Sequence, residues 1–129
     1  MKQRVLVDTN VIVRYLLKDN LPLFSKAEAL FQRAQNGQVD CYLDEVVVAE
    51  ITWLLVSFYE LKKEEIAAKM MTLTTQSWIV NPRKDLIIEA LGQYRKNSLS
   101  YIDCWLWVVA KDQKINLETF DARLKKLKW

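Results

Sequence analysis

Apolar and polar positions fall along this chain in blocks of two kinds. Short apolar runs read as strands, and longer mixed stretches read as helices. Arg4 to Asp8 is the first run, a short strand predicted to be fully buried, and a helix follows from about Thr9 to Lys18. Asp19-Asn20 breaks the pattern, and Pro22 suits the first turn of a second helix ending at Asn36-Gly37. Val39 to Leu43 is a second strand. Asp44 then stands where an N-cap belongs, ahead of the long apolar helix "EVVVAEITWLLVSFYE". "KKEEIAAKMMTLTT" is a further helix, and "SWIV" a third strand. Asn81-Pro82 opens a helix from about Arg83 to Lys96, and Ser100 caps another through "YIDCWLWVVAKD". "NLETF" is predicted as a fourth short strand, followed by the terminal helix "DARLKKLKW".

Strands alternate with helices, and no two-residue hairpin turn appears. That order predicts an α/β layer architecture with a mostly parallel central sheet. At 129 residues the chain is one domain's length, so residues 1–129 are expected to share one core. Only 2 Gly and 2 Pro argue against a loop-rich or disordered chain. No apolar run is long enough to span a membrane, and nothing resembles a secretory signal. The two cysteines, Cys41 and Cys104, sit in apolar settings and read as reduced core residues of a cytoplasmic protein. The net charge of +3 is compatible with nucleic acid without pointing to it.

The chain has no histidine. That excludes Ser-His-Asp and Cys-His catalysis and histidine-ligated zinc. Any chemistry must run on carboxylates, hydroxyls, lysines, arginines or a bound ion.

Of the 16 Asp and Glu residues, most stand beside other charges, where a solvated surface explains them. Asp8 in "VLVDTNVIV", Glu50 in "VVVAEITWLLV" and Asp103 in "YIDCWLWVVA" are lone acids in strongly apolar stretches. Each alone reads as an N-cap or as the wet stripe of a helix. Together they read differently. Asp8 ends the first strand and Asp121 follows the last, so both fall at the carboxyl edge of a parallel sheet, where ligands bind. Asp103 lies in the first turn of its helix and can face the same edge. Glu50 lies two turns into its helix and needs tertiary packing to join them. Such a group repels itself unless a divalent cation sits among the oxygens, and all-oxygen donors suit Mg²⁺ or Mn²⁺. On this reading Asp8 is buried because it anchors a metal.

These residues carry a resemblance. "VLVDTNVIVRYLL", "VVVAE", "YIDCWLWVVAK" and "LETFDARL" resemble, in that order, the motifs of the PIN domain, and within it the VapC-like toxins of toxin–antitoxin pairs. The resemblance spans nearly the whole chain and implies a three-layer α/β/α sandwich. It implies a Mg²⁺- or Mn²⁺-dependent ribonuclease, with Asp8, Glu50, Asp103 and Asp121 as the acidic site. Asn10 would match the amide that positions the first acid, and Thr119 the hydroxyl beside the last. It also implies a homodimer and a small antitoxin partner that covers a groove near the site. The chain departs from the family at Tyr101, where Phe is common, at Cys104, where Ala is common, and at Lys114, in a turn that often holds Gly.

Around the acids, Arg14 and Lys18 are the cations best placed to attract RNA, although a solvated helix surface explains them equally. The basic stretch Arg123 to Lys128 reads first as a wet helix face. Among the five tryptophans, Trp53, Trp105 and Trp107 read as core or interface packing before base stacking, and Trp78 and Trp129 complete the set. The helix from Glu45 to Glu60 is apolar nearly all round, so it is either fully buried or partly covered by a partner. Two other readings compete with the nuclease. One is a PIN-like module that binds RNA or protein without chemistry. The other is a phosphatase with an Asp nucleophile, which Asn10 argues against because it stands where a second Asp is needed.

Overall fold

The computed structural model describes residues 2–127. Three short strands, β1 (Gln3–Leu6), β2 (Val39–Tyr42) and β3 (Ile79–Val80), form a parallel sheet in the order β1-β2-β3. The helices are α1 (Thr9–Leu17), α2 (Leu21–Gln35), α3 (Glu45–Ser57), α4 (Lys63–Thr74), α5 (Lys84–Lys96), α6 (Tyr101–Gln113) and α7 (Ala122–Lys125). The fold is α/β, as the alternation predicts. No described helix is long and apolar enough to cross a membrane.

Local chemistry sets the helix boundaries. Asn20 caps α2 through a bond from the Leu23 amide (3.1 Å), with Pro22 in the first turn. Asp44 caps α3 through the Val46 amide (2.8 Å), and Ser100 caps α6 through the Asp103 amide (3.2 Å). Lys18 and Lys114 end α1 and α6 in the left-handed conformation, with φ of 55° and 58°. Lys114 therefore occupies a position that favours glycine. Behind the strands the core joins Phe31, Ile51, Leu55, Met70, Ile87 and Val108, and Phe31 meets Trp78 at 5.2 Å between ring centroids. Cys41 and Cys104 are both fully buried free thiols, and burial pushes each up to about 11.

Four expectations fail. The first strand is not fully buried: Gln3, Arg4 and Leu6 are exposed and Val5 is half-buried. Among the described residues β1 pairs only with β2, so it is an edge, and one side of its backbone has no covering strand. Asp8 is exposed as well, because the strand stops short of it. "NLETF" forms no strand. Asn116 and Glu118 are weak strand formers, and of the apolar residues there only Leu117 packs on the core, while Ile115 and Phe120 are exposed. Of the two alternatives for the helix from Glu45, full burial drops out: Val48, Ile51, Thr52 and Leu55 face inward, while Val46, Trp53 and Val56 face out. The terminal helix is shorter than expected, and Lys128 and Trp129 lie outside the described residues.

Candidate active site

The carboxyl edge of the sheet collects helix N-termini. Asp8 follows β1 and caps α1, its Oδ1 accepting the Thr9 amide at 2.8 Å. Its other oxygen has no hydrogen bond among the described residues. The Val7 amide still bonds the Tyr42 carbonyl (3.2 Å), which carries the β1–β2 pairing up to the residue before Asp8. Asp44 stands at the corresponding end of β2, where it caps α3. No bond joins Asn10 to Asp8. Asn10 is exposed and lines a groove between α1 and α2 with Arg14.

Arg123 bonds Asp121 and shares a cavity wall with Asp103. Asp121 caps α7, accepting the Arg123 and Leu124 amides through Oδ1 and the Arg123 guanidinium through Oδ2 at 3.2 Å. The bond from the Arg123 side chain, with the backbone amides, holds the Asp121 carboxyl below the usual range. The Arg123 guanidinium is raised, chiefly by Asp121 and in part by the nearby charge of Asp103. Thr119 accepts the Asp121 amide at its hydroxyl (3.1 Å), a position beside the last acid that the motif anticipates.

The turn leading to Asp103 is held by two cations that the sequence did not mark. Lys63 donates to the Asn97 carbonyl (2.5 Å) and the Leu99 carbonyl (2.6 Å), and its ammonium lies 4.4 Å from the Tyr94 ring centroid. Arg123 donates to the carbonyl between them, that of Ser98, at 3.1 Å. Three successive carbonyls are therefore taken by cationic side chains immediately before Ser100 starts α6. Burial holds the Lys63 ammonium below its ordinary value, and Arg123 adds to that. Lys63 sits in "KKEEI", where nothing distinguishes it from a wet helix start. Arg123 is more than a solvated residue of a basic tail.

Next to this turn is a cavity of about 320 Å³, with Asp103, Arg123, Lys63, Trp53, Tyr94 and Tyr101 among its lining residues. Glu50 is exposed on α3, one residue beyond the cavity-lining Ala49. Among the described residues no three acids, cysteines or histidines stand together in a geometry that holds a metal. Asp121 bonds Arg123, which shares the cavity wall with Asp103, but among the described residues the four acids do not close into one group. Arg14 is engaged elsewhere, bonding Asp19 at 2.6 Å and the Tyr59 hydroxyl at 3.0 Å. Lys18 is exposed and lies 5.4 Å from the Phe24 ring centroid. Trp107 is buried, Trp105 is half-buried with Arg83 over its ring at 4.9 Å, and Trp53 remains 59% exposed.

A parallel sheet with helices starting from its strands' carboxyl ends, and carboxylates capping α1, α3 and α7, define an α/β protein of the open-sheet class. The sequence match makes the class specific: the PIN domain family matches residues 5–129, and the chain belongs to it. A curated relative, the VapC ribonuclease of Aquifex aeolicus (strain VF5), is 26% identical over 123 residues, covering 95% of this chain and 90% of the relative. No solved structure matches the chain significantly.

Proposed function

We propose that this chain is a Mg²⁺- or Mn²⁺-dependent endoribonuclease and the toxin of a toxin–antitoxin pair. The observation that carries the reading is that a PIN-family chain keeps all four motif acids, each at an element start or on an exposed helix face. The similarity to a VapC ribonuclease supports RNA as the substrate. The donor chemistry fits a hard divalent cation: carboxylate oxygens only, at the starts of α1, α6 and α7 and on α3. Asp8, Asp103 and Asp121, with Glu50, would hold the ion. Bound there, it neutralises phosphate charge and lowers the pKa of a water.

The chain's own groups do the rest. Thr119 fixes the backbone ahead of Asp121, and Asn10 stands two residues after Asp8 at the start of α1. Lys63 and Arg123 hold the turn that sets Asp103. Arg123 presents a half-exposed charge to a phosphate, and Lys18 adds an exposed one at the end of α1, while Arg14 would have to leave Asp19 to join them. The exposed apolar side chains Val46 and Leu106 support a homodimer, and a small antitoxin protein is the proposed inhibitor in the cytoplasm. Residues 1–129 are taken as one PIN-like unit.

The spacing of the acids favours one competing reading, a PIN module that binds RNA without cutting it. One assay separates the two. Purified protein is incubated with RNA and Mn²⁺, alongside an EDTA arm and the variants Asp8→Asn and Asp103→Asn. Asn is a good N-cap, so Asp8→Asn should keep its stability within about 0.5 kcal/mol. Cleavage should fall by roughly a hundredfold or more in both variants. Full cleavage by Asp8→Asn, or binding without cleavage by the wild type, sinks the proposal.

A further inference from the structure

The cavity beside Asp103 has a wall that the proposed chemistry does not use. Trp53 lines it from α3, on the same helix stripe as Glu50. Tyr94 and Tyr101 line it too, and Asp103 and Arg123 bring opposite charges to it. Trp78 and Trp107 are buried and Trp105 is half-buried, so among the described residues Trp53 is the tryptophan that offers its ring to solvent.

We propose that this cavity seats a base of the RNA substrate, stacked on Trp53, next to the phosphodiester that reacts at Asp103; the proposal rests on the ribonuclease reading. A volume of about 320 Å³ is within the range of small-ligand pockets. An indole face gives a stacking platform that any base can use. Arg123, its side chain 56% exposed, supplies positive charge for the phosphate that the base carries with it. Two of the hydroxyls in the wall are already committed. The Thr52 hydroxyl donates to the Ala49 carbonyl (2.9 Å), and the Ser100 hydroxyl accepts the Asp103 amide. The indole face is the sequence-tolerant part of the seat, because every base has a face to stack on it.

The charges on the cavity choose the occupant. A second copy pressed onto this wall would desolvate Asp103 and Arg123 against apolar surface, which costs several kcal/mol per unpaired ion. A nucleotide brings its own phosphate to Arg123 and leaves Asp103 in contact with water. Self-association through Val46 or Leu106 does not require the cavity to be filled.

The test compares the wild type with Trp53→Phe and Trp53→Ala. In EDTA, a short RNA oligonucleotide is titrated against each protein while tryptophan fluorescence is followed. In Mn²⁺, KM and kcat are measured on the same RNA, and sedimentation reports assembly. Wild type should be quenched on binding. Trp53→Ala should raise KM roughly five- to hundredfold with kcat little changed, and Trp53→Phe should recover most of the loss. Quenching without cleavage by the wild type sinks the ribonuclease reading and leaves the base seat standing. Cleavage by the wild type with an unchanged KM in Trp53→Ala overturns the seat. So does a Trp53→Ala protein that turns monomeric while KM holds, because the indole then belongs to a contact between copies.

Discussion

Two arginine–carboxylate pairs in this molecule have the same chemistry and different surroundings. Glu45 and Arg83 meet at 2.7 Å, and the Asn81 amide bonds the same carboxylate. Asn81 is itself tied to the Leu43 carbonyl (2.8 Å) and accepts the Arg83 backbone amide (2.7 Å). Arg83 also lies over the Trp105 ring. The pair is closed into a ring of bonds that joins the ends of β2 and β3 to α3 and α5. Asp121 and Arg123 meet at 3.2 Å, two residues apart, with the guanidinium more exposed than that of Arg83. The first arrangement locks the carboxyl edge of the sheet. The second is a counter-ion beside the candidate acids, with a single loop carbonyl as its other partner.

The largest effect should come from breaking the lock. Arg83→Ala removes a charged hydrogen bond and a cation–π contact in a half-buried setting, and should cost about 2 kcal/mol in a denaturant melt. The acid limb of stability should change with it. Burial by itself raises the Glu45 carboxyl, but the bonds from Arg83 and Asn81 outweigh it, and the net shift is downward. A carboxyl depressed in the folded state stabilises fully above its ordinary value of 4.5, and the contribution is lost as pH falls through the lower folded value. In Arg83→Ala that loss on acidification should largely vanish. A wild-type-like acid limb would show that Glu45 does not depend on the lock.

A smaller effect of opposite sign is expected beside it. The Tyr101 hydroxyl is buried without a partner, and burial and then the charge of Glu45 push it well above the ordinary tyrosine value. Tyr101→Phe removes the orphaned group and should leave stability unchanged or raise it by about 1 kcal/mol. A clear loss in a thermal melt would mean that the hydroxyl holds a water in solution. This orphan also gives a physical reason why Phe is common here in the family.

The smallest stability effect is expected at the exposed pair. Arg123→Gln should leave the denaturant midpoint nearly unchanged, because the pair is exposed. Its signature lies elsewhere. Removing the positive charge beside the acids should tighten Mn²⁺ binding by calorimetry, by roughly severalfold in a watery dielectric. Weaker binding would instead assign Arg123 to holding Asp121 and the Ser98 turn in place for the ion.

The helices were legible because their ends carry local chemistry. Asn20, Pro22, Asp44 and Ser100 each mark a start within a few residues of the group they bond. The fourth strand was not legible as absent, because pairing is settled by a neighbour's backbone rather than by the segment's own residues. The burial of Asp8 failed for a related reason: an apolar run does not say whether its strand is central or at an edge. The acids themselves stood out against their apolar company. The two cations that hold the Asp103 turn did not, since Lys63 reaches its carbonyls across 34 and 36 residues of sequence. The exposure of Trp53 was not legible either, because a helix apolar nearly all round has no periodicity to name its wet face.

The buried thiols make the chain its own reporter of opening. Cys41 lies in β2 and Cys104 in α6, one residue after Asp103, and both are fully enclosed. With values near 11, almost no thiolate exists at neutral pH. A thiol-specific label therefore reacts only in molecules that have transiently opened, and two labelling rates clock two places in one molecule. Cys41 times the loosening of the sheet. Cys104 times the departure of the acid-bearing helix, and any ion or nucleotide seated against that helix slows the second clock more than the first.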